Sequence, residues 1–194
     1  RVCACLMLAA VQYDDRVAFL GYDQEVRCYE PPRKGLSHVL RIVRDFLALE
    51  ASAGKSDPGP ALKYAAKNLP SHSAVFLVSD FLGDGWQPAL QECAKRHEVI
   101  AVRLLAPELR KLPSGMWGLR DAEGRARRVV DGSDPKVQAQ YAERVERWDR
   151  ETRQMLQQAG VALLDVPIPA VADPDAVARP ILRFFQRRQG RGRS

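Results

Sequence analysis

Short apolar runs, separated by segments with helical periodicity, constrain the fold of this chain more than any other feature. The clearest run covers 74–78, contains no polar residue and ends at Ser79-Asp80. With this run, the strands predicted from such segments are 16–22, 74–80, 98–104 and 161–166. Short, largely apolar runs are typical of parallel strands that are buried on both faces. Their alternation with helices predicts an α/β domain, with a mostly parallel sheet covered by helices on both sides.

Capping residues mark where several of the helices begin. Residues 2–12 have the character of a helix already under way, with no capping residue in front. Ser37 is predicted to cap a helix that runs to Leu49. Asp57-Pro58 opens a helix to about Leu69, because a proline is well placed in the first turn after a cap. Asp134-Pro135 opens a long helix that ends at Gly160.

The remaining segments predict an edge strand, a hairpin and a basic tail. Residues 25–30 alternate like an antiparallel edge strand, which Pro31-Pro32 would end. Residues 116–120 and 127–130 predict a β-hairpin that turns at 123–124. The last helix should run from Pro174 to about Arg188. We therefore expect one domain over 1–188, followed by a tail over 189–194.

Charge and cysteine content indicate a cytoplasmic protein with one basic end. The net charge is +6, and the six arginines from Arg179 onward account for the excess over a body with 24 basic and 24 acidic residues. Arginines near a helix C-terminus are typical of a solvated helix end. A contact with nucleic acid is the alternative for this segment. The four cysteines form no C-x-x-C pair, which favours reduced thiols in the cytoplasm.

Few residues resemble a catalytic or nucleotide-binding motif. Gly54-Lys55-Ser56 has the end of a phosphate-binding loop, but Leu49 stands where the first glycine is required. The three histidines, His38, His72 and His97, lack metal-ligand spacing and are predicted at the surface or at helix ends. No serine or cysteine stands in a recognisable nucleophile motif.

Asp80 is the strongest candidate for a functional residue. It follows the most apolar strand, at the edge where open α/β sheets place their ligand sites. Ser79 precedes it, and Ser56 and Asp57 lie before the helix that leads into this strand. A hydroxyl and a carboxylate that meet at one edge could bind a hard cation. The alternatives are that Ser79 and Asp80 only cap the next turn, and that Asp57 only caps its helix.

Several stretches together resemble a bacterial family with a von Willebrand factor A-like domain, called domain of unknown function fifty-eight. They are 15–21 (DRVAFLG), 31–35 (PPRKG), 38–41 (HVLR), 75–81 (VFLVSDF), 96–103 (RHEVIAVR), 131–135 (DGSDP), 159–161 (AGV) and 182–185 (LRFF). The resemblance implies a Rossmann-like fold similar to that of integrin-type inserted domains. It also implies a metal-ion-dependent adhesion site.

In the resembling domains, that site combines an Asp-x-Ser-x-Ser loop, a hydroxyl from a second loop and a carboxylate from a third. By resemblance, Ser56 matches the second-loop hydroxyl, with Ser52 as the alternative, and Asp80 matches the carboxylate. The Asp-x-Ser-x-Ser loop and the first, central strand are absent from this sequence. We therefore expect 16–22 and 74–80 to flank a gap or to be bridged by another segment, and Mg²⁺ to bind weakly or not at all without the missing loop.

The resemblance implies a protein-binding adaptor, not an enzyme, that works with a MoxR-type AAA+ ATPase in assembling or remodelling other proteins. Mg²⁺ would keep one coordination position open for an acidic side chain of the partner. One alternative is a hydrolase that uses Asp80, although the sequence indicates no paired acid or base for it. A nucleic-acid-binding module that uses the arginine-rich end is the other alternative.

Overall fold

Helices and strands alternate along most of the chain, as predicted. The computed structural model describes residues 1–49, 56–109, 112–120, 127–169 and 173–191. The elements, in chain order, are α1 (Val2–Gln12), β1 (Val17–Tyr22), β2 (Val26–Arg33), α2 (Leu36–Ala48), α3 (Gly59–Asn68), β3 (Ala74–Ser79), α4 (Gln87–Ala94), β4 (Glu98–Leu105), a short 3₁₀ helix (Pro107–Leu109), β5 (Met116–Arg120), β6 (Arg127–Asp131), α5 (Pro135–Gln158), β7 (Ala162–Pro167) and α6 (Pro174–Arg191).

Three of the predicted strands form a parallel sheet in the order β3-β4-β7. Ala74 lies opposite Glu98 at the start of one ladder, and Ile100 lies opposite Ala162 at the start of the other. β1 is not part of this sheet and pairs with β2 in a separate antiparallel one. Within the described residues, β1 and β3 therefore share no ladder, which confirms that the segments 16–22 and 74–80 are not directly paired.

The edge strand β2 is longer than predicted. Pro31 and Pro32 do not end it, and it continues to Arg33, which lies opposite Val17. The register shifts between Val17 and Phe19, where a bulge accommodates two residues that cannot donate a ladder hydrogen bond. Proline is tolerated here because β2 is an edge strand. The prediction that the prolines end the strand is therefore wrong.

The helix boundaries follow their local signals, with one exception. Asp134 caps α5 by accepting a hydrogen bond from the backbone nitrogen of Lys136 at 2.8 Å, as predicted. α2 begins at Leu36 after Gly35, whose φ of 98° is readily adopted only by glycine. Ser37 therefore lies inside the helix, and the prediction that it caps α2 is wrong. The predicted hairpin is present as β5 and β6, while its turn lies outside the described residues.

Helices pack on both faces of the parallel sheet, as the alternation predicted. Successive side chains of β4 point to opposite faces. Val99 and Ala101 belong to the core cluster shared with α3, α4 and α5. Ile100 and Val102 pack on the other face with α1 and α6. The chain therefore has a layered α/β architecture, and the ends of its parallel strands open at one edge.

The last helix, α6, runs past the predicted end of the domain. Its described residues continue to Arg191, three residues beyond Arg188. Phe184 and Phe185 of this helix pack against the cluster that contains Ile100. Residues 192–194 of the predicted tail lie outside the described part of the chain.

Candidate functional site

Asp80 lies at the carboxyl edge of the parallel sheet, directly after β3. Residues 80–86, named here the edge loop, lead from this strand to α4. One carboxylate oxygen of Asp80 accepts a hydrogen bond from the nitrogen of Leu82 at 3.1 Å. The hydroxyl oxygen of Ser79 accepts one from the nitrogen of Phe81, also at 3.1 Å. Both side chains thus turn the backbone, as the capping alternative predicted, and the Asp80 side chain stays exposed.

Ser56 and Asp57 lie beside the edge loop. A Cβ added to Gly83 would lie 3.4 Å from the carbonyl oxygen of Ser56, so the two backbones are in close contact. Asp57 accepts a hydrogen bond from the nitrogen of Gly59, the first residue of α3, at 2.8 Å. The two loops expected to share the site are therefore neighbours. Ser52, the alternative to Ser56, lies outside the described residues.

Tyr22, at the end of β1, is a member of this edge that the sequence reasoning missed. Its hydroxyl donates a hydrogen bond to the carbonyl oxygen of Val78 at 3.1 Å. Burial raises the pKa of Tyr22 to about 12; a hydrogen bond with Ser79 lowers it, and the charge of Asp80 raises it further. Because parallel strands end at one edge, the position of Tyr22 at the end of a predicted strand was the available signal.

The expectation for Mg²⁺ at this edge stays a prediction. No group of three or more acidic, histidine or cysteine side chains in the described ranges is placed to hold a metal ion. One carboxylate oxygen of Asp80 and one of Asp57 already accept backbone hydrogen bonds. Mg²⁺ demands near-octahedral oxygen coordination and gives up its water reluctantly. Ser56, Asp57, Ser79 and Asp80 would therefore need further ligands to hold it.

A comparison with known protein families identifies the family to which the chain belongs. Residues 1–151 match the family described as "Protein of unknown function DUF58". The chain belongs to the DUF58 family. The matched stretch includes β1, β3, β4 and the edge loop, and it ends inside α5.

The relatives of this DUF58 chain are uncharacterised. The uncharacterised proteins Rv1480 and MT1527 of Mycobacterium tuberculosis and Mb1516 of Mycobacterium bovis are each 29% identical to it over 165 residues. The match covers 82% of this chain and 50% of each relative, so the chain spans about half the length of the curated relatives it matches. No solved structure matches it significantly.

A buried arginine lies beneath the edge of this DUF58 chain. Arg103 of β4 lies opposite Ser79 in the ladder and is fully buried. Its guanidinium bonds both carboxylate oxygens of Asp165, at 2.7 and 3.0 Å, and donates to Asp149 at 2.6 Å. Arg153 bonds the same two carboxylates from the surface. The sequence reasoning treated Arg103 as part of an apolar strand and missed this cluster.

The histidines do not contribute to the edge. His38 is buried and its ring bonds the carbonyl oxygen of Val17 at 2.9 Å. His97 is also buried, and neither ring nitrogen has a hydrogen-bond partner in the described structure. A surface position is therefore wrong for His38 and His97, but both lie at helix ends, as the other half of the prediction states: His38 in the first turn of α2, and His97 just after α4, with its backbone nitrogen bonded to the carbonyl oxygen of Cys93. His72 is exposed.

None of the helices in the described ranges is long and apolar enough to cross a membrane.

A groove of about 470 Å³ lies beside the Arg103 cluster. Apolar side chains from α5, from the end of β4 and from the short 3₁₀ helix line much of it, among them Leu105, Leu109, Ala142, Val145 and Trp148. Nothing on these residues identifies a ligand, so the edge at Asp80 remains the candidate site.

Proposed function

We propose that this DUF58 chain is a protein-binding adaptor module whose binding surface is the sheet edge at Asp80. The observation that carries the proposal is the exposed Asp80 carboxylate on a turn fixed by hydrogen bonds, next to the loop of Ser56. A carboxylate held in this way on a rigid scaffold suits recognition, because little flexibility is lost on binding. The edge of an open α/β sheet is also where such folds bind ligands.

We propose further that the fold is von Willebrand factor A-like and that one more strand belongs between β1 and β3. These two strands lie in separate sheets, yet a side chain of one reaches the backbone of the other, from Tyr22 to Val78. An inserted strand would lead into a loop at the same edge as Asp80. In the proposal, that loop supplies Asp-x-Ser-x-Ser, and the segment lies outside the present 194 residues.

Mg²⁺ enters this proposal only together with the additional loop. Asp80 and Ser56 would then hold the ion with three further oxygen ligands, and a partner carboxylate would complete its coordination. The proposed partner is a MoxR-type AAA+ ATPase, and the proposed location is the cytoplasm. The four cysteines are free, as expected for a protein kept in a reducing compartment.

We propose a binding role and not a hydrolytic one. Within the described structure, the carboxylate of Asp80 accepts its hydrogen bond from the backbone of Leu82, not from a side chain that could exchange a proton. General acid–base catalysis needs a titratable group positioned against the reacting atoms. The nucleic-acid alternative depends mainly on arginine side chains from Arg187 onward, which lie outside the described part of the chain.

The test is a titration of the MoxR-type ATPase of the same organism into the full-length protein, with and without Mg²⁺. We expect binding that needs Mg²⁺ and is lost in Asp80→Ala. Asp84→Ala is the matched control, because Asp84 is an exposed carboxylate in the same loop. Binding that is equal in Asp80→Ala and in the unaltered protein would contradict the proposed site. If the ATPase binds equally well with and without Mg²⁺, only the proposed role of the metal is contradicted.

A further inference from the structure

The indole of Trp148, which lies outside the edge loop, is hydrogen-bonded to the backbone of this loop. The Nε1 of Trp148, on α5, donates a hydrogen bond to the carbonyl oxygen of Phe81 at 2.9 Å. A second indole, that of Trp86 at the end of the loop, donates to the carbonyl oxygen of Gly83 at 2.7 Å. Two carbonyl groups of one short loop are thus fixed by tryptophan side chains, one of them from a distant helix.

Phe81 is the residue of this loop that most needs support. It follows Asp80 and has a φ of 57°, in the left-handed region that side chains other than glycine rarely adopt. Its ring is buried and packs edge-on against Trp86, with ring centroids 5.2 Å apart. A residue in this conformation persists only when its surroundings over-determine it. The hydrogen bond from Trp148 is one of those constraints.

Trp148 is itself fixed by the buried arginine. The guanidinium carbon of Arg103 lies 4.9 Å from the centre of the Trp148 ring, in a cation–π contact. Arg103 cannot move freely, because Asp165 binds it through two hydrogen bonds and Asp149 through a third. A continuous set of contacts therefore runs from the sheet through Arg103 and Trp148 to the backbone next to Asp80.

We propose that Trp148 is a positioning residue for Asp80, which links the placement of α5 to the geometry of the edge loop. The inference rests on the proposed function only in treating the edge as a binding surface. Loss of the indole hydrogen bond should release the carbonyl of Phe81 and loosen the turn that holds the Asp80 carboxylate. A residue that orients a ligand-binding side chain changes the affinity for the ligand without contacting the ligand itself.

The test compares Trp148→Phe with Trp117→Phe in the unliganded chain. Phenylalanine keeps an aromatic ring and removes the indole N–H in both variants. Trp117 is the matched control, because its Nε1 also donates to a backbone carbonyl, of Pro113 at 2.8 Å, away from the edge loop. In Trp148→Phe we expect altered amide NMR signals for residues 80–84. The amide of Leu82 should exchange about fivefold faster, the change that corresponds to one typical net hydrogen bond.

A purely structural role would lower the melting temperature and leave the edge-loop signals in place, which would overturn the proposal. Edge-loop signals that change equally in Trp117→Phe would also overturn it. If Trp148→Phe does not fold, the hydrogen-exchange rate of the Trp148 indole N–H in the unaltered chain tests the proposal instead. Exchange as fast as that of the more exposed Trp117 would contradict the hydrogen bond. The NMR test of Trp148 uses no ligand. If Mg²⁺ or the ATPase fails to bind in the titrations, that result therefore refutes the proposed function and leaves the role of Trp148 untouched.

Discussion

The hydroxyl of Tyr22 donates a hydrogen bond to the backbone carbonyl of Val78, across the space between two strands that share no ladder. Neighbouring strands lie about 4.8 Å apart and bond through their backbones. Here a long side chain makes the connection instead. Tyr22 therefore satisfies an acceptor on the open edge of β3, and it does so directly beside Ser79 and Asp80.

Tyr22→Phe should lower the free energy of unfolding by about 1 kcal/mol, because it leaves the carbonyl of Val78 without its donor. Urea unfolding of the two proteins measures the difference. Tyr13→Phe is the control, since Tyr13 is 54% exposed. Equal stability of Tyr22→Phe and the unaltered chain would mean that the hydrogen bond contributes nothing.

The same substitution should change how stability depends on alkaline pH. The folded state raises the pKa of Tyr22 from an ordinary value of 10 to about 12, mainly through burial. A raised pKa means that the folded state holds this proton more tightly than the unfolded state does. Its contribution is therefore complete below pH 10 and is lost as the pH rises towards 12. Between these values, Tyr22→Phe should lose stability less steeply than the unaltered chain.

Arg103→Met should be among the most destabilising single substitutions in the chain. It removes a fully buried guanidinium and leaves Asp165 and Asp149 with fewer partners. Breaking a buried ion pair typically costs about 3–5 kcal/mol, and the cost here should lie near the lower end, because Asp165 and Asp149 are partly exposed and keep Arg153 as a partner. Arg153→Met removes a half-exposed partner of the same carboxylates and should cost only about 0–1 kcal/mol. Urea unfolding that ranks the two variants equally would argue against the buried cluster.

Acid should weaken the same cluster through Asp149. Partial burial alone would raise the pKa of Asp149, but hydrogen bonds from Arg153 and Arg103 outweigh it and hold the pKa below 3.8. The contribution of Asp149 is therefore present above about pH 4 and is lost as the pH falls through the folded-state pKa. Arg153→Met should reduce this acid dependence. Arg147→Met, which removes an exposed pair with Glu143 on the same helix, should leave it unchanged.

Truncation after Arg188 should leave the melting temperature nearly unchanged. The removed residues carry no large apolar side chain, and terminal residues that bury nothing support little structure. Phe184 and Phe185 remain in place and keep their packing against the core. Thermal unfolding of the full and shortened chains tests this. A decrease of several degrees would show that the end of α6 is part of the domain.

The strands and their order along the chain could be predicted because each strand has a local signature. The apolar run of β3 and the Asp134-Pro135 start of α5 need no distant residue to be recognised. The end of β2 could not be predicted in the same way, because its two prolines depend on a bulge opposite Val17. Likewise, the start of α2 at Gly35 depends on a backbone conformation that the preference for a serine cap does not reveal.

The same division holds for the residues at the sheet edge. The edge position of Asp80 was predictable from its place after an apolar strand, and that of Ser56 from the expectation that its loop lies at the same edge, while their role in binding stays a prediction. Tyr22 was missed because its role depends on how far β1 lies from β3. Arg103 was missed because a buried arginine is plausible only once its carboxylate partners are known, and Asp149 and Asp165 come from later elements.

The last prediction concerns Mg²⁺ binding at Asp80. The present chain should bind Mg²⁺ weakly or not at all, because Ser56 and Asp80 offer one hydroxyl and one carboxylate. A chain extended at its N-terminus by a segment with an Asp-x-Ser-x-Ser loop should bind it, since three more oxygens would approach from the neighbouring strand. Asp80→Ala in the extended chain should abolish binding and cost little stability, because the Asp80 side chain is exposed.

Calorimetric titration of Mg²⁺ into the present chain, the extended chain and its Asp80→Ala variant makes the comparison. Asp84→Ala in the extended chain controls for the loss of one negative charge from the edge loop. Tight binding by the present chain would mean that its own residues complete the coordination, and it would contradict the need for the additional loop. Unchanged binding by Asp80→Ala would place the metal elsewhere, because a cation this demanding does not keep its affinity after losing a carboxylate ligand.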